Sequence, residues 1–241
     1  MKKNQLFGLA VSLLIILAIA QNAYADSRSF VWTYEYQTMP RGIWELEYYL
    51  TSVVPDVGET NVNTLKQWLE LEYGITDNWD VAMYQMYKIN NKKSETDLRY
   101  DGFKIRTRYR FAKKGQFIVD PLIYLEYIRD PDFSKPNVAE IKLVLAKDIA
   151  DFNISYNQIL KRNLERKGKS ESEYAVGISY RVAPALMLGV ESKGSYSKNE
   201  SAVGPVLSWS GRKFWIAMGA IWGVNRRTQD LQARVIVGMP F

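Results

Sequence analysis

Phe103-Lys104-Ile105-Arg106-Thr107-Arg108-Tyr109-Arg110-Phe111 decides how this chain folds. Phe103, Ile105, Tyr109 and Phe111 stand at alternate positions, and Lys104, Arg106, Arg108 and Arg110 fill the places between them. A strand sends successive side chains to opposite faces, so this stretch meets an apolar medium on one side and a wet or charged one on the other. The pattern recurs upstream, where Leu65, Leu69, Leu71 and Tyr73 interleave with Lys66, Trp68, Glu70 and Glu72. Downstream, Tyr174, Val176, Ile178 and Tyr180 interleave with Ala175, Gly177, Ser179 and Arg181. Each stretch reaches the roughly 9–11 residues that a tilted transmembrane strand needs. Strands of a soluble sandwich run nearer about 5 or 6.

Between these stretches two kinds of connection alternate. Short ones fall at 74–78, 112–115, 148–151, 182–185 and 210–212, and longer polar ones at 51–63, 90–99, 129–137, 161–172, 193–201 and 225–230. Short turns on one side and long loops on the other are the asymmetry of an outer-membrane barrel. They predict an all-β, closed, antiparallel transmembrane barrel of about twelve strands over residues 43–241, with both ends periplasmic. Tyr73, Trp79, Phe111, Phe117, Phe152, Tyr180, Trp209 and Phe214 flank the short connections, where an interfacial aromatic girdle belongs.

The start of the chain agrees with export. Lys2 and Lys3 precede an apolar run from Leu6 to Ala20, and Ala23-Tyr24-Ala25 follows as a small-x-small cleavage site. Residues 1–25 are expected to be a secretory signal peptide removed before Asp26, which directs the chain to the cell outer membrane. The 32 Lys and Arg residues then lose Lys2 and Lys3 and stand against 26 acidic residues, a balance that does not call for nucleic acid. The chain has no Cys and no His. Disulfides, thiolate nucleophiles, imidazole bases and ordinary zinc sites are thereby excluded. Ser155 and Ser179 have no imidazole to activate them, and Glu70, Glu72 and Asp80 show no acid/base spacing. Neither enzyme activity nor a bound cofactor or metal is expected.

The final stretch sharpens the class. Leu231, Ala233, Val235, Val237, Met239 and Phe241 form one apolar face, with Gln232, Arg234 and Gly238 on the other. Here the chain resembles bacterial outer-membrane proteins whose last strand ends in an aromatic residue. The resemblance implies that Val235, Val237, Met239 and Phe241 are an assembly signal for the barrel-assembly machinery. Two further stretches, Met39-Pro40-Arg41-Gly42-Ile43-Trp44-Glu45-Leu46-Glu47 and Leu71-Glu72-Tyr73-Gly74-Ile75-Thr76-Asp77-Asn78-Trp79, are similar to segments of uncharacterised small porin-like outer-membrane proteins. These are loosely similar to the transport family associated with phenol-degradation operons. That likeness implies topology and no substrate.

With the apolar set facing lipid, the alternate set lines the lumen. Lys104, Arg106, Arg108 and Arg110 then form a basic wall, and Glu45, Glu47, Glu70 and Glu72 an acidic one. Two readings follow. Facing walls would set a field across a narrow aqueous pore; alternatively, the long cationic side chains would cross the lumen, pair with the Glu residues and knit it shut. Ala175, Gly177, Ser179, Gly189, Gly204, Ser208, Ala217 and Gly219 leave space on later strands and favour the pore. A narrow diffusion pore for small polar or charged solutes is therefore expected. The alternatives are a non-conducting structural or adhesive barrel and, behind it, a lipid-acting barrel enzyme. Lys161, Arg162, Arg166, Lys167 and Lys169 are expected in an outer loop within reach of lipopolysaccharide phosphates, while Asp97, Asp101, Asp130 and Asp132 read as solvated loop charges.

Residues 26–42 do not fit the even strand count. Phe30, Trp32, Tyr34 and Tyr36 alternate with Val31, Thr33, Glu35 and Gln37, but a thirteenth strand would break the parity. The segment is expected in the lumen or along the periplasmic rim, with Pro40-Arg41-Gly42 turning the chain into the first barrel strand.

Overall fold

A computed structural model describes residues 27–93 and 95–241; the expected leader, residues 1–25, lies outside them. The alternating stretches become strands β1 (Trp44–Val54), β2 (Val62–Thr76), β3 (Trp79–Lys92), β4 (Glu95–Arg110), β5 (Asp120–Arg129) and β6 (Val138–Ile149). They continue as β7 (Phe152–Asn163), β8 (Ser170–Ala183), β9 (Leu186–Ser195), β10 (Glu200–Ser210), β11 (Trp215–Gly223) and β12 (Leu231–Pro240). Every strand is antiparallel to its sequence neighbours, and β12 pairs with β1 to close the barrel. Closure leaves no open edge, the condition for a sheet to stand in hydrocarbon.

The period-two pattern fixes which face is which. Ile105, Leu125 and Ile141 point outward and are exposed, whereas Glu45, Glu70 and Arg106 point inward and are buried. At the seam Leu46 stands opposite Met239 and Tyr48 opposite Val237. The backbones of Trp44 and Phe241 exchange both hydrogen bonds, at 3.1 and 2.8 Å, so the last residue completes the ladder.

Polar groups that face the lipid are tied to neighbours. The Trp79 indole N–H donates to Thr107 at 2.7 Å, and the hydroxyls of Tyr100 and Tyr48 donate to Gln85 and Gln67 at 2.8 and 3.0 Å. Aromatic rings pair at the short-turn end: Trp44 with Tyr73, Tyr109 with Phe111, Phe152 with Tyr180 and Trp209 with Phe214, their centroids 4.5 to 5.3 Å apart.

The alternation of short and long connections is broken at three places, one of them 193–201, where β9 runs to Ser195 and β10 begins at Glu200, so that the expected long loop is a turn of four residues. Residues 90–99, read as a long loop, are mostly ladder, because β3 runs to Lys92 and β4 begins at Glu95. Above the membrane both faces of a strand meet water, and polar side chains then support pairing instead of ending it. Asn91 donates to Asn63 at 2.8 Å and Thr64 to Asn90 at 3.2 Å across neighbouring strands. Conversely, the turn expected at 112–115 extends over 111–119. Gly115, at a φ of 81°, gives its N–H to Asp120 at 2.8 Å and curls the segment before β5 starts.

Candidate functional site

Residues 27–43 contain no strand and run inside the barrel, held by inward side chains from all round the wall. Glu191 on β9 accepts hydrogen bonds from three successive backbone N–H groups, those of Val31, Trp32 and Thr33, at 2.9, 3.0 and 2.8 Å. Asn157 on β7 clamps the backbone of Tyr34, accepting from its N–H at 2.6 Å and donating to its carbonyl at 2.8 Å. Arg234 on β12 donates to the Val31 carbonyl at 3.0 Å, and Asp80 on β3 accepts from the Met39 N–H at 3.0 Å. The segment bends back on itself, with the Glu35 carboxylate accepting from the Ser29 N–H at 2.7 Å. A buried backbone without regular structure needs such partners for its polar groups.

Small residues on the later strands make its seat. A Cβ at Gly177 would come 2.5 Å from the Phe30 ring, and one at Gly219 would come 2.9 Å from Val31. The space expected at Gly177 and Gly219 is therefore occupied by the chain's own N-terminal residues. Gly177→Leu is expected to unseat Phe30, so that limited proteolysis cuts residues 27–43 faster in a barrel that still shows heat-modifiable migration. Cleavage at the wild-type rate would contradict this packing.

The two stretches 39–47 and 71–79 lie together where the segment enters the wall. Gly42 donates to the Gly74 carbonyl at 2.8 Å and Gly74 to that of Ile43 at 3.0 Å. Gly42 has a φ of 79°, and a Cβ on Gly74 would come 2.0 Å from the Pro40 carbonyl oxygen, so both positions require glycine.

All eight residues of the expected walls face the lumen side, but the walls do not face each other. β1, β2, β3 and β4 are consecutive in the barrel, and the charges close on one another along that half. Glu45 stands opposite Glu72, and Glu47 opposite Glu70. Arg106 reaches over β3, past the small Ala82, to bond Glu70 at 2.6 Å, Asp80 at 2.8 Å and also Glu72. Arg108 holds Asp80 at 2.8 Å and Glu72. Glu47 lies 3.9 Å from Arg28, and Glu45 accepts from the Trp215 indole at 3.0 Å. Lys104 pairs with Glu126 at 3.0 Å, and Arg110 donates to Thr38 at 2.7 Å near the segment's exit. Carboxylates crowded on adjacent strands would repel unless cations lay between them, and here they do.

The outer loops show the same local satisfaction. Lys161, read as a loop cation, lies on β7 and turns inward to Glu140 and Glu173, at 3.4 and 2.7 Å. Asp130 pairs with Lys135 at 2.9 Å, and Asp132 accepts from the N–H and hydroxyl of Ser134.

Two cavities flank residues 27–37 in the lumen, and a third, about 400 Å³, adjoins the outer of them at Trp68 and Lys104. The outer one, about 290 Å³, is lined by Trp32, Tyr34, Trp68, Lys104, Lys142 and Lys193 among others. The one toward the short turns, about 360 Å³, includes Glu35, Tyr36, Arg110, Asp148, Arg181 and Ser208 in its lining. No residue lines both cavities, and alternate stretches of residues 27–37 form part of each. Sequence reasoning missed Asn157, Glu191 and Arg234, the anchors that hold this partition. The one available signal was Glu191 itself, an inward carboxylate whose cross-strand partners on both sides are glycines, Gly177 and Gly204.

No protein-family model and no curated protein sequence matches the chain. Its fold is similar to several solved outer-membrane structures. A KdgM porin in complex with disordered oligogalacturonate matches with a TM-score of 0.57 at 12% identity, over 82% of this chain and 99% of that one. A NanC porin matches with a TM-score of 0.53 at 11% identity, over 82% and 98%. An outer-membrane channel from Pseudomonas putida F1 matches with a TM-score of 0.57 at 8% identity, over 88% and 100%. At these identities the likeness establishes the architecture: a closed twelve-stranded barrel of the outer-membrane porin kind.

Proposed function

We propose that this protein is a narrow diffusion channel of the outer membrane for small polar or charged solutes, not an enzyme, and that residues 27–43 set its bore. The observation that carries the reading is the division of a polar lumen into two cavities by a segment held through hydrogen bonds, packing and the Arg28–Glu47 ion pair. Barrels of about eight strands are filled by their own side chains, and those of about sixteen enclose a channel. A barrel of twelve has room for one extra chain segment, and this one supplies it from its own N-terminus. The similar architectures of the porins and the channel support the same reading. Export through a cleaved leader and recognition of Phe241 by the assembly machinery belong to this proposal.

Planar-bilayer recording of the purified, refolded protein tests it. Ion currents in small steps are expected from the intact chain, and larger ones once the segment is released. Silence from both forms would favour a structural or adhesive barrel.

A further inference from the structure

Six cations line the outer cavity, and four of them are answered. Arg28 faces Glu47 at 3.9 Å, Lys104 faces Glu126 at 3.0 Å, Lys142 faces Glu140 at 2.8 Å and Lys161 faces Glu173 at 2.7 Å. Among the described residues Lys193 and Arg234 make no ion pair, and Glu200, which also lines the cavity, reaches neither. Both stand around one indole. The Lys193 ammonium lies 5.4 Å and the Arg234 guanidinium 5.6 Å from the centre of the Trp32 ring, and Arg234 is also 5.2 Å from Trp68.

Arg234 is fixed in place by its bonds to Thr51, at 2.8 Å, and to the Val31 carbonyl. A guanidinium carries five N–H donors, so these two bonds leave three for another acceptor. Lys66 stands in the same cross-strand row through Thr51 and adds to the positive field. Ring faces offset only part of the cost of removing two cations from bulk water.

We infer that Lys193 and Arg234 form a subsite for a small organic carboxylate whose ring or planar carbon skeleton lies against Trp32 and Trp68. The carboxylate accepts from both cations, and the indoles take the apolar body that a hydrated inorganic anion lacks. The cavity, about 290 Å³, sits at the small end of ligand sites, which run from roughly 300 to 1,000 Å³. The inference rests on the channel reading for the solute's onward passage; binding itself does not require it.

Isothermal titration of the refolded full chain in detergent tests the site, with benzoate, acetate, benzyl alcohol and inorganic phosphate as probes. Benzoate is expected to bind, and the other three about tenfold or more weakly. Lys193→Gln and Arg234→Gln should each weaken benzoate about tenfold or more, while Lys198→Gln, in an exposed pair with Glu171, should leave it unchanged. The Lys193 side chain makes no hydrogen bond among the described residues, so its substitution decides the matter if Arg234→Gln fails to fold. Retention of binding by Lys193→Arg would support the charge role. Absence of benzoate binding, equal binding of acetate or phosphate, or indifference to Lys193→Gln would overturn the inference. Bilayer current without benzoate binding would sink the site and leave the channel standing; binding without current would do the reverse.

Discussion

Replacing Arg106 with leucine is expected to destabilise the barrel by about 3–5 kcal/mol, more than any other single change in the lumen, because it removes one partner of a buried charge cluster. The guanidinium is 2% exposed and bonds Glu70, Glu72 and Asp80, with the Tyr84 hydroxyl at 3.1 Å. Without it, Glu72 and Asp80 would keep Arg108 as a cationic partner and Glu70 would keep the Tyr49 hydroxyl, at 2.7 Å, in place of a cation. Equilibrium unfolding in urea, followed by heat-modifiable migration, should show the folded form lost at markedly lower denaturant. Arg106→Lys keeps the charge but not the fork and should fall between the two. Lys104→Leu removes a cation with one carboxylate partner and a side chain 13% exposed, so its shift should be clearly smaller. A midpoint for Arg106→Leu equal to that of Lys104→Leu would show that the cluster is not what holds this half of the wall.

The same geometry changes what a charge-reversal experiment reads. Arg106→Glu would place a fourth carboxylate beside Glu70, Glu72 and Asp80, so it measures folding before it measures ion preference. Lys193, which lines the outer cavity and makes no ion pair among the described residues, is the better position from which to read selectivity.

Strand identity and facing were legible because hydrocarbon on one side leaves a period-two mark in every span, as Ile105 and Arg106 show side by side. Pairing across strands was less legible, because it depends on rows and not on chain order. Ala82 is unremarkable in sequence, yet as the residue between Glu72 and Arg106 it lets the arginine reach across. Loop lengths misled at 90–99 because polarity marks where the membrane ends, and the ladder continues beyond it. Gly177 and Gly219 signalled room correctly; that Phe30 and Val31 fill it depends on contacts some 150 and 190 residues apart in the chain, which no local pattern encodes.

Glu191→Leu carries the other large expectation, a several-fold rise in single-channel conductance. Leucine is close to glutamate in size, so the wall changes little, but it cannot accept from Val31, Trp32 and Thr33. Each buried N–H left unmet costs about 1–3 kcal/mol. Three at once exceed what the Asn157 clamp and the Arg234 bond are expected to hold, at about 1 kcal/mol for a typical net hydrogen bond. The segment should then leave its seat and the two cavities should join. Deleting residues 27–38 while keeping the Pro40-Arg41-Gly42 corner should give the same current, because it empties the same space without touching the barrel's own ladder. Agreement between the two variants would locate the constriction in the segment. A deletion variant that folds, migrates as a closed barrel and conducts like the intact protein would place the constriction instead in the Arg106–Glu72 belt of the wall, and residues 27–43 would then be a structural filling with no part in the bore.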